Sequence, residues 1–476
     1  MLLLLDGAAV LGGLLCTLFA WPHAPASSAM AVEVLAMRVS APVLCCLAAF
    51  YYTDLYDLRA LPSFSRFARR LPWSLLSAAA LVGGLYAWAP ELRLPWEPLG
   101  QSLVGGAALV LLLRAGSYAL ARVHPQRVLF VGASPIACQL AEEIGAQPNL
   151  GWIVLGMADD ETFDGASLGV RQLGSLADLE EILRREQPDR IIVTLAARRG
   201  RLPVRTLLRS RMAGVEVEDG LEVYERLTGK LAIEGLAPSS LIFSKDFRKS
   251  RVQLSINRGF SLLVASLSLL LFAPILLLTA VAIVLDSPGP VFFVQERVGA
   301  LGRRFRLIKF RTMRPARERT SEWARDNGHR VTRVGKWLRR FHIDELPQFL
   351  NVLRGDMNLV GPRPHPVSNR ELFAHEIPYY SLRAAVRPGI TGWAQVRYGY
   401  ANGLEEETEK MRYDLYYIKH MSPWLDFRIL VDTVKKILLG GGRPPSSPQA
   451  VVVPLASPRR TRWTAAGTDA PQQTAV

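Results

Sequence analysis

Apolar residues run in long blocks through the first quarter of the chain, then break into short clusters separated by turn residues. Residues 1–21, 31–52, 71–89 and 99–123 are each predominantly apolar. Each approaches the roughly 20 residues a helix needs to cross a bilayer core. The pattern therefore predicts four transmembrane helices over residues 1–123. The first block carries Asp6 and lacks the basic start of a signal peptide, which favours a first membrane helix over a leader. Arg38 and Arg114 interrupt two blocks; such a residue either faces a helix bundle or snorkels to an interface. From residue 127 the pattern changes. Apolar clusters at 128–131, 153–157, 190–195 and 215–217 alternate with helical stretches near 136–146, 175–186 and 204–213. Alternation of this kind predicts a parallel sheet with crossover helices over 124–240.

The longest apolar block, 259–285, follows a basic linker, 241–258, and has Pro274 near its middle. A proline there interrupts the hydrogen-bond ladder. Each half is too short to cross about 30 Å at 1.5 Å per residue. Both flanks are basic, so a spanning helix would leave one basic flank outside, against the positive-inside bias. The expectation is a re-entrant helix–break–helix with Pro274 as its break. A mixed α/β region, 286–440, comes next. The Gly/Pro/Ser/Thr/Ala-rich segment 441–476 is expected to be disordered.

Charge adds an orientation. Residues 53–70 hold Arg59, Arg66, Arg69 and Arg70, and the segment after the fourth block begins with Arg122, His124 and Arg127, whereas 90–98 has one arginine and two glutamates. The basic segments are thus expected on the cytoplasmic side. A net charge of +15 implies an anionic partner. With so many lipid-length blocks, membrane surface and phosphates fit better than nucleic acid. Cys16, Cys45, Cys46 and Cys138 have no metal-ligand spacing; they read as small buried hydrophobes, not as a disulfide framework or a zinc site.

Candidate chemistry gathers at Asp344-Glu345. Arg333, Lys336, Arg339 and Arg340 precede the pair, and the run from Gly355 to Pro364 follows it. Adjacent carboxylates among arginines suit phosphate chemistry, with a nucleophile and a metal ligand in the pair and cations holding the substrate. An exposed ion-pair cluster has the same local pattern. In the α/β region Gly132-Ala133-Ser134 begins like a dinucleotide fingerprint, but Ser134 stands where close pyrophosphate approach needs glycine. Asp159-Asp160 are placed as a ribose acid or as turn residues. A degenerate Rossmann-like domain with a structural or regulatory role is expected, without NAD. That leaves a membrane scaffold, or a nucleotide-sugar dehydrogenase or epimerase, as the competing classes.

Six motifs then carry a resemblance: Asp286 to Phe292, Gln295 to Gly299, Lys309 to Met313, Asp344 to Gln348, Gly355 to Pro364 and Arg387 to Val396. In this order they resemble the bacterial sugar transferase family, the polyprenyl-phosphate glycosyl-1-phosphate transferases, and the whole chain looks like its long polytopic members of the exopolysaccharide type. The resemblance implies a membrane helix bundle, a Rossmann-like domain and a mixed α/β monotopic phosphoglycosyl transferase domain with a re-entrant membrane helix. It implies transfer of a sugar 1-phosphate from a UDP-sugar to undecaprenyl phosphate, release of UMP, and Mg²⁺. On that reading Asp344 is the nucleophile and Glu345 the Mg²⁺ ligand. Lys309, Arg339 and Arg363 hold phosphate, with Pro362 and Pro364 fixing the backbone around Arg363. Arg311 and Arg340 are expected at the surface or on lipid headgroups. His342 is not expected to act as a base, and Asp356 is a further ligand or a turn residue. Trp393 and Gln395 are candidates for uracil or sugar contacts, against packing for Trp393. The location implied is the bacterial inner membrane, with the catalytic domain cytoplasmic and a homodimer left open.

Overall fold

The computed structural model describes residue 12 and residues 29–439, except 58–60, 62, 162–169, 196–200, 237–246, 248, 315–329, 400 and 402. The expected first membrane helix, the segment 441–476 and most of the charged stretch 314–330 lie outside the described residues.

Helices α1 (Ala29–Tyr52), α2 (Phe64–Trp88) and α3 (Trp96–Val123) form a bundle. Its core joins Val39, Phe50, Leu55, Phe67, Leu71 and Val110. Helix α2 begins seven residues before its apolar block, because the basic stretch predicted as loop already winds onto the bundle through Phe67. The two intrahelical arginines divide the alternatives between them. Arg114 is buried, with its guanidinium near the rings of Tyr56 and Phe67. Arg38 reaches out to the carbonyl of Glu91 at 2.9 Å. Among the described residues three stretches are long and apolar enough to cross a membrane: Phe64–Trp88, Leu99–Leu120 and Arg251–Asp286.

A five-stranded, all-parallel sheet follows, with β1 (Gln126–Val131), β2 (Trp152–Ala158), β3 (Gln172–Gly174), β4 (Arg190–Val193) and β5 (Glu216–Asp219) in the order β3-β2-β1-β4-β5. Successive side chains of β1 supply two cores. Val128 and Phe130 pack with Leu140 and Val223, while Leu129 and Val131 pack with Ile182 and Leu207. A strand covered on both faces has this unbroken apolar character. Around the sheet lie α4 (Pro135–Ala146), α5 (Leu179–Glu186), α6 (Val204–Met212) and α7 (Gly220–Thr228). The short strand β3 and helix α7 have no counterpart in the sequence reading.

The long apolar block is helix α8 (Arg251–Asp286), capped by Ser250 Oγ, which accepts from Gln253 N at 3.1 Å. It runs without interruption through Pro274, where the pattern predicts a break; proline can bend a helix without ending it. Beyond α8, β6 (Phe292–Val298) and β7 (Arg304–Phe310) form an antiparallel hairpin. Helix α9 (Arg333–Arg340) leads through a 3-10 turn (Ile343–Glu345) to α10 (Gln348–Arg354). Strands β8 (Asn358–Val360) and β9 (Gly389–Thr391) pair in parallel on either side of α11 (Val367–Glu376). Helices α12 (Trp393–Arg397), α13 (Leu404–His420) and α14 (Pro423–Leu439) follow. Their core includes Phe373, Trp393, Leu415, Tyr417 and Ile429, and it takes in Leu231 and Ile233 from the α/β region.

Candidate active site

Each polar residue of the site is placed by a local device. Thr332 caps α9, its Oγ1 accepting from Gly335 N at 2.9 Å. A Cβ on Gly335 would stand 2.2 Å from the Thr312 carbonyl oxygen, so glycine is what lets α9 lie against the end of β7. That approach brings Arg339 Nε to Thr312 Oγ1 at 2.9 Å. His342 then adopts φ +55°, a left-handed conformation that costs a non-glycine residue on the order of 1 kcal/mol. It reverses the chain into the 3-10 turn that carries Asp344 and Glu345. Asn351, fully buried on α10, donates to Arg306 O at 2.7 Å and accepts from Ile308 N at 3.0 Å. It thereby stitches the helix after the dyad to β7, the strand that bears Lys309. Nothing in the sequence pattern distinguishes Asn351 from a surface amide.

The structure brings Lys309, Arg339 and Arg363 to the dyad, all three close enough to act on the Asp344 carboxylate. Within the pair the two carboxylates differ. Glu345 is held by Arg363, with Nη2 at 2.6 Å and Nη1 at 3.4 Å. Burial pushes the Glu345 carboxyl up, but the Arg363 charge and hydrogen bond, with Lys309 behind them, outweigh it and hold it below its ordinary value. Asp344 is 8 % exposed and has no ion pair or hydrogen bond to its side chain among the described residues. Its carboxyl is raised, by burial first and by the Glu345 charge second. Burial pushes the Lys309 ammonium down to about 8, helped by the charges of Arg297 and Arg363. Arg297, given no role from the sequence, thus belongs to the same charge group.

Other candidates lie elsewhere. Arg311, expected at the surface or on lipid headgroups, is instead buried. Its two terminal nitrogens donate to Pro288 O and Ser287 O, each at 2.6 Å. It clamps the turn where α8 gives way to β6, and Gly289 makes room for it. Arg340 is exposed, with its guanidinium over the Trp337 and Phe341 rings. Asp356 accepts from Asn351 Nδ2 at 3.1 Å and its N–H bonds Asn351 O, the contacts of a turn residue. Trp393 is buried, and its Nε1 donates to Gly229 O of the α/β region at 2.8 Å. Gln395 Nε2 donates to Ile390 O at 3.0 Å. In the α/β region Asp159 reaches across to the turn after β1, accepting from Ala133 N at 2.6 Å, and pairs with Arg201 at 2.5 Å.

Among the described residues no group of three or more His, Cys, Asp or Glu side chains is arranged to hold a metal. Mg²⁺ needs fewer: it takes hard oxygens, often from one or two carboxylates plus substrate phosphates and water. Asp344 and Glu345, neighbours in sequence and near enough for the Glu345 charge to act on Asp344, would supply two such carboxylates.

The model of the bacterial sugar transferase family matches residues 252–440. An Aeromonas hydrophila protein named UDP-N-acetylgalactosamine-undecaprenyl-phosphate N-acetylgalactosaminephosphotransferase is 45 % identical over 239 residues, 50 % of this chain and 56 % of that protein. A Klebsiella pneumoniae protein named UDP-glucose:undecaprenyl-phosphate glucose-1-phosphate transferase is 35 % identical over 328 residues, 68 % of this chain and 70 % of that protein. A Rhizobium leguminosarum exopolysaccharide production protein is 41 % identical over 202 residues, 40 % of this chain and 98 % of that protein. The chain thus spans little more than half the length of the Aeromonas relative.

Proposed function

Because this chain belongs to the bacterial sugar transferase family, we propose that it transfers a sugar 1-phosphate from a UDP-sugar to undecaprenyl phosphate, releasing UMP, as the first step of exopolysaccharide assembly. The observation that carries the mechanism is the asymmetry of the dyad. Arg363 engages Glu345, whereas Asp344 is buried, unpaired among the described residues and more basic than an ordinary carboxylate. Such a group is suited to nucleophilic attack.

In the first step an Asp344 carboxylate oxygen attacks the phosphorus nearer the sugar. The bond from that phosphorus to the bridging oxygen breaks and UMP leaves with the electron pair. In the second step a phosphate oxygen of undecaprenyl phosphate attacks the same phosphorus and the Asp344 carboxylate departs. Lys309, Arg339 and Arg363 neutralise the charge that gathers on the phosphoryl oxygens. Glu345, with phosphate oxygens, is the proposed holder of Mg²⁺, which supplies further charge neutralisation when bound.

Two further readings belong to this proposal. Helix α8 is read as re-entrant. Its buried residues are Asn257, Ser261 and Ala265 in one half and Thr279 and Ile283 in the other, with none between. Both ends are tied to one domain: Leu359 N donates to Ser261 Oγ at 3.1 Å and Val334 N to Asp286 Oδ2 at 3.1 Å. The middle, around Leu270, Leu271, Leu277 and Leu278, is exposed and apolar, as a segment entering lipid requires. The α/β region is read as a Rossmann-like scaffold without a dinucleotide, since Asp159 takes up the Ala133 N–H that a phosphate would need.

The test is UMP release by the purified protein with undecaprenyl phosphate and a panel of UDP-sugars. At least one sugar should support turnover, and Asp344→Asn should abolish it. Without the lipid acceptor the wild type should gain the mass of one sugar phosphate. Turnover that survives Asp344→Asn removes the nucleophile assignment; no turnover with any sugar removes the function.

A further inference from the structure

Arg363 sits on a strap, Pro362-Arg363-Pro364-His365-Pro366, in which three prolines restrict the backbone. Every carbonyl from 362 to 365 is also tied down. Pro362 O accepts from Gly389 N at 3.0 Å, and His365 O accepts from Val298 N at 3.1 Å. Pro364 O accepts from Arg297 Nη1 at 3.0 Å, and Arg363 O accepts from Arg383 Nη2 at 2.8 Å. Two of the four ties are therefore arginine side chains, an expensive choice for a buried position unless the charge is matched.

For Arg383 the charge is matched by Asp414. The arginine side chain is 9 % exposed and its Nη2 also pairs with Asp414 at 2.8 Å. Its Nη1 lies 2.8 Å from His365 Nδ1, and the Tyr380 hydroxyl lies 2.8 Å from the same nitrogen. Arg383 Nη1 also lies 3.1 Å from Nε2; an arginine only donates, and with Glu407 facing Nε2 the assignment that serves both neighbours has Nδ1 as the acceptor and the proton on Nε2. Nε2 faces Glu407 at 3.3 Å, and Glu407 pairs with Lys410 at 2.9 Å. Burial, with the Arg383 charge, pushes the His365 imidazole down to about 3, so the histidine remains a neutral spacer. Among the described residues none of these groups bonds the dyad; they reach it through the strap, at the Arg363 carbonyl and at His365 itself.

We infer that Arg383, braced by Asp414, His365 and Tyr380, is a positioning residue that holds the Arg363 backbone so that its guanidinium meets the Glu345 carboxylate and the incoming phosphates. The inference rests on the proposed phosphosugar transfer and adds a specific lever to it. A planar fork can serve the Arg363 carbonyl, Asp414 and His365 together; a lysine ammonium lacks that geometry. Lysine at 383 retains the charge against Asp414 and loses the brace.

The test is a double-mutant cycle on the full-length protein, since groups that act through one another are not additive. Arg383→Lys should melt within a few degrees of wild type yet lower kcat/KM for UMP release about 10- to 100-fold, the scale of a misplaced catalytic group. On an Arg363→Gln background the same change should lower kcat/KM less than about threefold, because the group it positions is gone. Equal losses on both backgrounds, or full activity in Arg383→Lys, overturns the inference. If the Arg383 variants aggregate, Tyr380→Phe, which keeps every charge, takes their place in the cycle with the same criterion. If the wild type turns over no UDP-sugar, the proposed function fails and the cycle is read by binding of inorganic pyrophosphate. Weakening confined to the Arg363 background supports the brace; equal weakening in both, or no binding by wild type, overturns it.

Discussion

Lys309 shows how a single side chain sets the working range of the site. It lies on β7 among Arg297, Arg363 and the two carboxylates, and burial brings its ammonium to about 8. Below that pH it is charged and can hold phosphate; above it the charge is lost. UMP release measured as kcat/KM, which reports the free enzyme, should fall as pH rises through about 8. Lys309→Arg should keep some activity and move that fall to higher pH, because a guanidinium stays protonated. An alkaline limb that stays in place in Lys309→Arg would rule out this lysine as its source. At the same scale, Arg311 and Arg363 show why residue type alone misleads. Both are arginines in short motifs of the transferase region, yet one clamps two turn carbonyls and the other faces a carboxylate.

Between elements, the decisive contact is the docking of α7 and the segment after it on α13. Glu225 of α7 accepts from Lys419 at 2.8 Å and lies 3.1 Å from His420 Nε2. Leu231 N donates to Arg412 O at 3.0 Å, and Lys230 pairs with Glu409. Trp393 closes the joint, stacked on Tyr416 with Arg397 and Arg428 over its ring and its Nε1 bonded to Gly229 O. Gly229 has φ +67°, and a Cβ there would stand 3.2 Å from the indole. Trp393→Phe leaves Gly229 O without its donor and should destabilise the folded protein by about 1–3 kcal/mol, read as a lower melting temperature in detergent. Wild-type melting in Trp393→Phe would mean the indole N–H contributes nothing to the joint.

For the molecule as a whole, α14 joins the helical bundle to the transferase domain. On one side Tyr51 Oη bonds Asp432, and Lys435 pairs with Asp54 and donates to Tyr51 O at 3.1 Å. On the other side Thr433 Oγ1 lies 2.7 Å from Thr391 Oγ1, and Lys436 donates to Gln395 O at 2.8 Å. The transferase domain therefore meets the bundle at the C-terminal end of α1, through Tyr51 and Asp54. Reporter tags inserted near Ser250 and after Leu439 should both report the cytoplasmic side. Tags on opposite sides would make α8 a spanning helix and sink the re-entrant reading.

The sequence by itself marked the apolar blocks, the parallel α/β pattern and the adjacent carboxylates Asp344-Glu345. These are written in local periods and short contiguous motifs, which backbone geometry and residue chemistry translate directly. It also marked Lys309 and Arg363, because motifs bring their neighbours with them. The strand β3 was too short to carry a period. Only the tertiary structure decided that Arg363 engages Glu345 and leaves Asp344 unpaired among the described residues, that Trp393 faces the α/β region, and that Arg383 stands behind the strap. Those outcomes depend on partners 18 to 164 residues away. A polar side chain reads the same in sequence whether it meets water or a buried carbonyl, and packing alone separates the two.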